Sequence, residues 1–141
     1  MAVSFQNQDI VFLLKDKLKL KSWIKRIVEL EKKKLGQVNF VFTSDETLLE
    51  TNKKFLNHDT YTDIITFDSC QGDTIHGDIL ISTERVKENA EKFKADFETE
   101  LRRVMIHGVL HLCGYKDKSP KDIAVMRKKE EWALGYLVSA G

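Results

Sequence analysis

The sequence predicts one α+β domain spanning residues 1–141, a four-stranded mixed sheet packed with about five helices. Three observations lead there. The chain has 141 residues, enough to bury one core but not two. β-branched and aromatic runs at 38–42, 62–67 and 75–82 have the character of strands. Around them lie stretches whose apolar residues recur every three or four positions, the period of an amphipathic helix.

Taken in order, residues 2–6 read as a first strand. From 10 to 34 the pattern turns helical, with Leu20, Trp23, Ile24, Ile27 and Leu30 on one stripe, Asp9 as the expected cap and Gly36 as the stop. Val38, Phe40 and Phe42 alternate with Asn39 and Val41 in a second strand. Ser44 and Asp45 open a helix to about residue 56. Ile64-Ile65-Thr66-Phe67 reads as a buried strand, and Gly72-Asp73 turns the chain into another around Ile79-Leu80-Ile81. Ser82 or Thr83 caps a helix with Val86, Ala90 and Phe93 as its stripe. A further helix covers about 97–113, closed by Gly114. Ser119-Pro120-Lys121-Asp122 opens a last one to about residue 134. Trp23 and Trp132, each at helical spacing among apolar neighbours, are expected in the core.

Composition excludes several classes. With 42% hydrophobic and 32% charged residues and a single proline, the chain is neither disordered nor fibrous. No apolar run approaches the roughly 20 residues of a membrane helix, and the polar start predicts no signal peptide. Cys70 and Cys113 are too few for a disulfide framework and suit a reducing cytosol. A cytoplasmic monomer without membrane contact is expected. The net charge of +1 conceals nine Lys or Arg against three acids between Lys15 and Lys34. Such a run suits a solvated helix face, or a surface that holds phosphates.

The chemistry is concentrated in residues 104–113, apolar almost all the way round and therefore expected to be buried. Into this segment are set His107 and His111. Four residues apart on a helix, they lie about 40° and one turn from each other, so both can aim a ring nitrogen at one metal ion. Gly108 sits mid-helix at a cost of about 1 kcal/mol against Ala, which makes sense where a side chain would crowd the sheet or the site. Gly114 can turn the chain back in a left-handed conformation, and three residues on stands Asp117. The spacing His-x-x-x-His-x-x-Gly-x-x-Asp gives two helical ligands, a turn and a returning third, as in metzincin-type sites. Three protein ligands leave an open position, the mark of a catalytic centre. Zinc peptidases place a glutamate after the first histidine as general base; here that residue is Gly108, so peptidase chemistry is disfavoured. Glu100, seven residues before His107, falls on the same face about 10 Å along the axis.

With these residues in place, the chain resembles the YbeY family of metal-dependent endoribonucleases. That family's signature is matched by His107-Gly-Val-Leu-His111-Leu-Cys-Gly114-Tyr115. A second motif is met by Asn52 and by Asp59-Thr-Tyr-Thr62-Asp63-Ile-Ile-Thr-Phe67, a third by Gly77-Asp78-Ile-Leu-Ile-Ser82. Departures accompany the matches. The family's third histidine is Asp117 here, preceded by Lys116; a carboxylate makes the site harder and more negative, shifting preference from zinc towards manganese or magnesium. An arginine usual after the aromatic of the second motif is Leu56, and the proline position is Tyr61.

The resemblance implies a metal-dependent single-strand endoribonuclease acting in rRNA maturation and ribosome quality control, with RNA and the small ribosomal subunit as partners. The expected cofactor is one divalent cation, zinc first, held by His107, His111 and Asp117 and activating water. No side chain is assigned as general base. Lys53, Lys54, Lys116 and Tyr61 are the candidates for holding RNA, and Glu100, Asp63 and Asp78 for holding the ligands. The alternatives are a non-catalytic ribosome-assembly factor with a structural metal and a divergent zinc metallopeptidase. Cys113 is expected to pack, Cys70 to lie in a loop without a partner, His58 at the surface and His76 beside the cleft.

Overall fold

A computed structural model describes residues 2–57 and 60–140, the side chains of 138–140 excepted; His58 and Asp59 fall outside them. The elements run β1 (Ala2–Asn7), α1 (Lys17–Leu30), β2 (Lys34–Thr43), α2 (Asp45–Leu56), β3 (Ile64–Asp68), β4 (Thr74–Ser82), α3 (Thr83–Lys92), α4 (Phe97–Leu112) and α5 (Pro120–Ala140). The strands form one sheet in the order β1-β2-β4-β3, parallel except for the antiparallel edge β3. This is the mixed four-stranded α+β domain expected from the sequence.

Alternation along the central strands decides which face is covered. Val38, Phe40 and Phe42 of β2 and Ile79 and Ile81 of β4 pack with Trp23, Ile24 and Ile27 of α1 and Val104, Met105 and Val109 of α4. Each such side chain contributes roughly 1.5–3 kcal/mol of burial. Trp23 also donates its indole N–H to the Ala133 carbonyl at 2.8 Å, joining α1 to α5. Trp132 is only partly buried, its ring against Tyr136.

α4 lies directly on the sheet because Gly108 has no side chain. A Cβ there would stand 2.9 Å from Ile79 Cγ2 and 3.1 Å from Ile64 Cδ1. The steric account of this mid-helix glycine therefore holds, and it fixes the depth at which His107 and His111 are presented.

Local details depart from the sequence pattern. The first helix begins at Lys17, not residue 10, because residues 8–15 carry no continuous stripe: Val11 and Leu13 are 94% and 84% exposed. Asp9 does not cap it. Its carboxylate accepts instead from the Ser44 N–H at 2.9 Å, the Ser44 hydroxyl at 2.5 Å and the Thr47 hydroxyl, securing the start of α2 across 35 residues of chain. Gly36 is no stop; it lies inside β2, where a Cβ would meet the His76 ring at 2.3 Å. Leu30 and Phe93 are exposed at the ends of their helices rather than completing the stripes. α5 runs past residue 134 because Leu137 extends its buried face.

Two expectations follow from this packing. Gly108→Val will lower stability by roughly 1–3 kcal/mol through overpacking against Ile79 and Ile64, read as a lower urea midpoint at unchanged m-value. Hydrogen bonds from Ser44 and Thr47 hold the Asp9 carboxyl below its ordinary value. Its contribution is therefore complete above the unfolded aspartate pKa of about 3.9 and is lost as pH falls through the lower folded value. Urea unfolding of wild type and Asp9→Asn will accordingly differ at pH 7 and converge on acidification below that window.

Candidate active site

α4 is capped by Asp96, whose side chain accepts from the Thr99 N–H, and it is buried along most of its length. Its one strongly polar side leads from Glu100 through Arg103 to His107 and borders a cleft of ≈ 310 Å³ between α4, α5 and the chain entering β3. Asp63, His107, Asp117, Arg127 and Glu130 all line that cleft.

Glu130 is the anchor. Only 2% exposed on α5, its carboxylate accepts from His107 Nδ1 at 2.7 Å through one oxygen and from Arg103 Nη1 at 2.7 Å through the other. Arg103 is held in turn by the buried Glu100, through Nε at 2.9 Å and Nη2 at 2.5 Å. Burial pushes the Glu130 carboxyl up, but the hydrogen bonds from His107 and Arg103 outweigh it and hold it below its ordinary range. Burial likewise disfavours the His107 imidazolium, yet Glu130, with Asp117 and Asp63 behind it, raises its pKa on balance. For Asp63 burial wins, and its carboxyl is raised despite Arg103 and His107.

With Nδ1 committed to Glu130, the ring turns its Nε2 towards Asp117, whose Oδ2 stands 3.3 Å away. The loop carrying Asp117 is positioned at its start by Gly114 and Tyr115. Gly114, at φ +110, reverses the chain as its N–H bonds to the His111 carbonyl and the Tyr115 N–H to Leu110. The Tyr115 hydroxyl then donates to Glu31 at 2.7 Å, a carboxylate shared with Lys129 of α5.

The structure thus brings His107 and Asp117 together. His111 follows one turn on, half-buried and outside the side chains lining the cleft, with Asp68 as a nearby charge. Among the described residues no three His, Cys, Asp or Glu side chains are gathered closely enough to hold a metal. The donor chemistry around His107 nevertheless fits a cation. A tetrahedral ion with bonds of about 2.0–2.1 Å sets its ligand atoms about 3.3–3.4 Å apart, the separation of Nε2 from Oδ2. A carboxylate behind the opposite ring nitrogen is the usual support of a metal-bound imidazole.

Of the remaining candidates two join the site and the others are dispersed. Glu100 and Asp63 belong to this cluster, Glu100 through Arg103. Asp78 projects from the other face of the sheet, where Asn39 donates to it at 2.9 Å. Lys53 lies 3.8 Å from Glu50, and Lys54 over the Phe55 ring, both on α2. The Tyr61 hydroxyl donates to Glu46 and its ring is covered by Arg85, 4.9 Å from the centroid. Lys116 is exposed beside Asp117. His76 accepts from the Gln37 N–H, away from the cleft, and Asn52 ties α2 to the Thr60 carbonyl. Burial pushes the Cys113 thiol up to about 12, consistent with packing. Cys70, expected to be unpartnered, approaches the His76 and Leu112 carbonyls at 3.5 Å.

Glu130, Arg103 and Arg127 were not marked by the motif spacing. Glu130 had a signal: Met126, Ala133 and Leu137 put it in the middle of the buried stripe of α5, where a carboxylate needs a partner.

An α+β domain that presents an oriented imidazole from a buried helix to an opposing carboxylate, across an open cleft, has the polar groups that an enzyme site needs. Comparison with known proteins specifies which kind. The family model described as Endoribonuclease YbeY matches residues 3–137. A protein named Endoribonuclease YbeY from Flavobacterium psychrophilum is 53% identical over 132 residues, 94% of each chain. One of the same name from Bacteroides thetaiotaomicron is 46% identical over 134 residues, 95% of this chain and 98% of that one. The solution structure of TM1509 from Thermotoga maritima superposes with a TM-score of 0.65 at 29% identity, covering 98% of this chain and 93% of the other. The chain belongs to the endoribonuclease YbeY family.

Removing the anchor exposes its role. Glu130→Ala leaves Arg103 and His107 facing an empty position, and stability will fall by about 3–5 kcal/mol in urea unfolding, as when one partner of a buried pair is deleted. Glu130→Gln, which preserves volume and one acceptor, will lose less.

Proposed function

We propose that this chain is a metal-dependent endoribonuclease that cuts single-stranded RNA in rRNA maturation, with His107, His111 and Asp117 holding one divalent cation, zinc in the first instance. The observation that carries the proposal is the His107 ring, fixed by Glu130 at 2.7 Å and aimed at Asp117 3.3 Å away in an open cleft. His111 lies one helical turn further on the same side chain row. When bound, the cation supplies a Lewis acid for the phosphoryl group and lowers the pKa of water.

The chain's own residues prepare that chemistry. Glu130 keeps the Nδ1 proton and so presents Nε2 with its lone pair outward. Arg103 bridges Glu130 and Glu100, and its charge between them offsets the repulsion of two buried carboxylates within one cluster. Gly108 keeps the helix against the sheet and moves no proton. Asp117, a carboxylate rather than a third imidazole, adds negative charge that manganese or magnesium tolerates as well as zinc does.

The expected setting is the cytoplasm and the small ribosomal subunit, with the chain acting as a monomer. Among the described residues no helix is long and apolar enough to cross a membrane.

The test is cleavage of an unstructured RNA by purified protein stripped with chelator and then resupplied with zinc, manganese or magnesium. Cutting will vanish on stripping and return with metal. His107→Ala and His111→Ala will each reduce both metal content and cutting to background. Undiminished cutting by the His111→Ala protein would show that a contaminant does the work and would overturn the proposal.

A further inference from the structure

The cleft raises a question of charge. Its carboxylates, Asp63, Asp117 and Glu130, must admit a polyanion, and among the described residues its lining offers two cationic side chains other than His107, Arg103 and Arg127. These two are not equivalent. Arg103 has all three guanidinium nitrogens committed, two to Glu100 and one to Glu130, and is held at the root of the cluster. Arg127 is exposed, lines the same cleft and has no hydrogen-bond or ion-pair partner among the described residues. It lies three residues before Glu130 and four after Ile123 on α5, and the helical period puts all three on the cleft side.

The lysines of α2 do not reach this wall: Lys54 lies over Phe55, and Lys53 and Lys54 are absent from the cleft lining. The position after Phe55 is Leu56, which has no charge to offer. Arg127 is therefore the cation on the cleft wall, among the described residues, whose guanidinium is left uncommitted. Its fork of donors matches two phosphate oxygens, and its helix is fixed to the centre through Glu130.

We propose that Arg127 is the substrate-positioning cation of this site, holding an RNA backbone phosphate adjacent to the scissile one from the α5 wall. This rests on the endoribonuclease proposal above. RNA here enters between α4 and α5 with its backbone against α5, and the grip is independent of base identity.

The test measures binding rather than turnover. A fluorescent, 2′-O-methylated single-stranded RNA, checked on a gel to remain intact, is titrated with metal-loaded protein at several salt concentrations. Arg127→Ala will weaken binding roughly three- to tenfold and reduce the slope of log K against log salt by about 0.7, the loss of one phosphate contact on a single strand. Arg127→Lys will keep the slope and recover part of the affinity. Lys128→Ala, on a neighbouring face of the same helix, will change neither beyond error. Because Arg127 is exposed, melting temperature and metal content will stay at wild-type values. Wild-type slope and affinity in Arg127→Ala, or an equal loss in Lys128→Ala, overturns the assignment alone. Wild-type protein that neither binds nor cuts RNA overturns the endoribonuclease proposal, and the assignment with it.

Discussion

One buried carboxylate governs this molecule's chemistry. Glu130 sits where the apolar stripe of α5 would otherwise be continuous, and it is tolerated there because two donors meet it, one on each oxygen. Both donors come from α4, at positions 103 and 107, one turn apart. The contact between α4 and α5 is therefore polar at its centre and apolar around it, and the histidine's orientation is decided by helix packing rather than by the loop that brings Asp117. Glu100 extends the arrangement by a further turn through its two bonds to Arg103. A cluster of two carboxylates, a guanidinium and an imidazole, all largely out of water, has few alternative pairings. It costs desolvation and in return fixes one geometry.

Packing against the sheet supplies the other coordinate. At Gly108 and again at Gly77, where a Cβ would stand 2.6 Å from the Phe67 carbonyl and 3.0 Å from Leu112, small residues let helix and strands approach closely. α4 is pressed between β3 and β4 on one side and α5 on the other. His107 faces the α5 side and Gly108 the sheet, so adjacent residues serve opposite surfaces of the same helix. This explains why a glycine occupies the position at which a peptidase would carry its base: the residue there points at Ile79 and Ile64, into protein, where no substrate comes.

The order and type of every element were legible in the sequence, because strand runs such as residues 79–81 and the apolar face of α4 are written in local composition. Legibility failed where a partner is distant. Asp9 reads as a cap for the helix that follows it, yet it bonds to Ser44 and Thr47, and nothing local distinguishes the two uses. The histidines and Asp117 stood out because their spacing is chemical. Glu130 did not, being one of five consecutive charged residues, Arg127-Lys128-Lys129-Glu130-Glu131, that look like a solvated face; only its register with Met126, Ala133 and Leu137 betrays it. Glu100 stood out by its place on the face of His107, but its burial was not legible, since a carboxylate in the first turn of a helix is usually a dipole effect at the surface and its burial accompanies its pairing with Arg103.

The carboxylate of Asp117 opposite His107 bears on how these parts work together. A carboxylate facing His107 Nε2 raises that ring's affinity for a proton, an effect already strengthened by Glu130 on the other side. His107 and Asp117 would hold a cation only with the ring deprotonated at Nε2, so a metal and a proton would compete for these residues and their negative field would favour both. The same field repels a phosphodiester. An acidic centre therefore separates the roles of its cations: Arg103 inward, bound to buried carboxylates, and Arg127 outward, exposed on the cleft wall. Two arginines on adjacent helices, one saturated and one without a hydrogen-bond or ion-pair partner among the described residues, provide that division, and it follows from their neighbours rather than from their residue type.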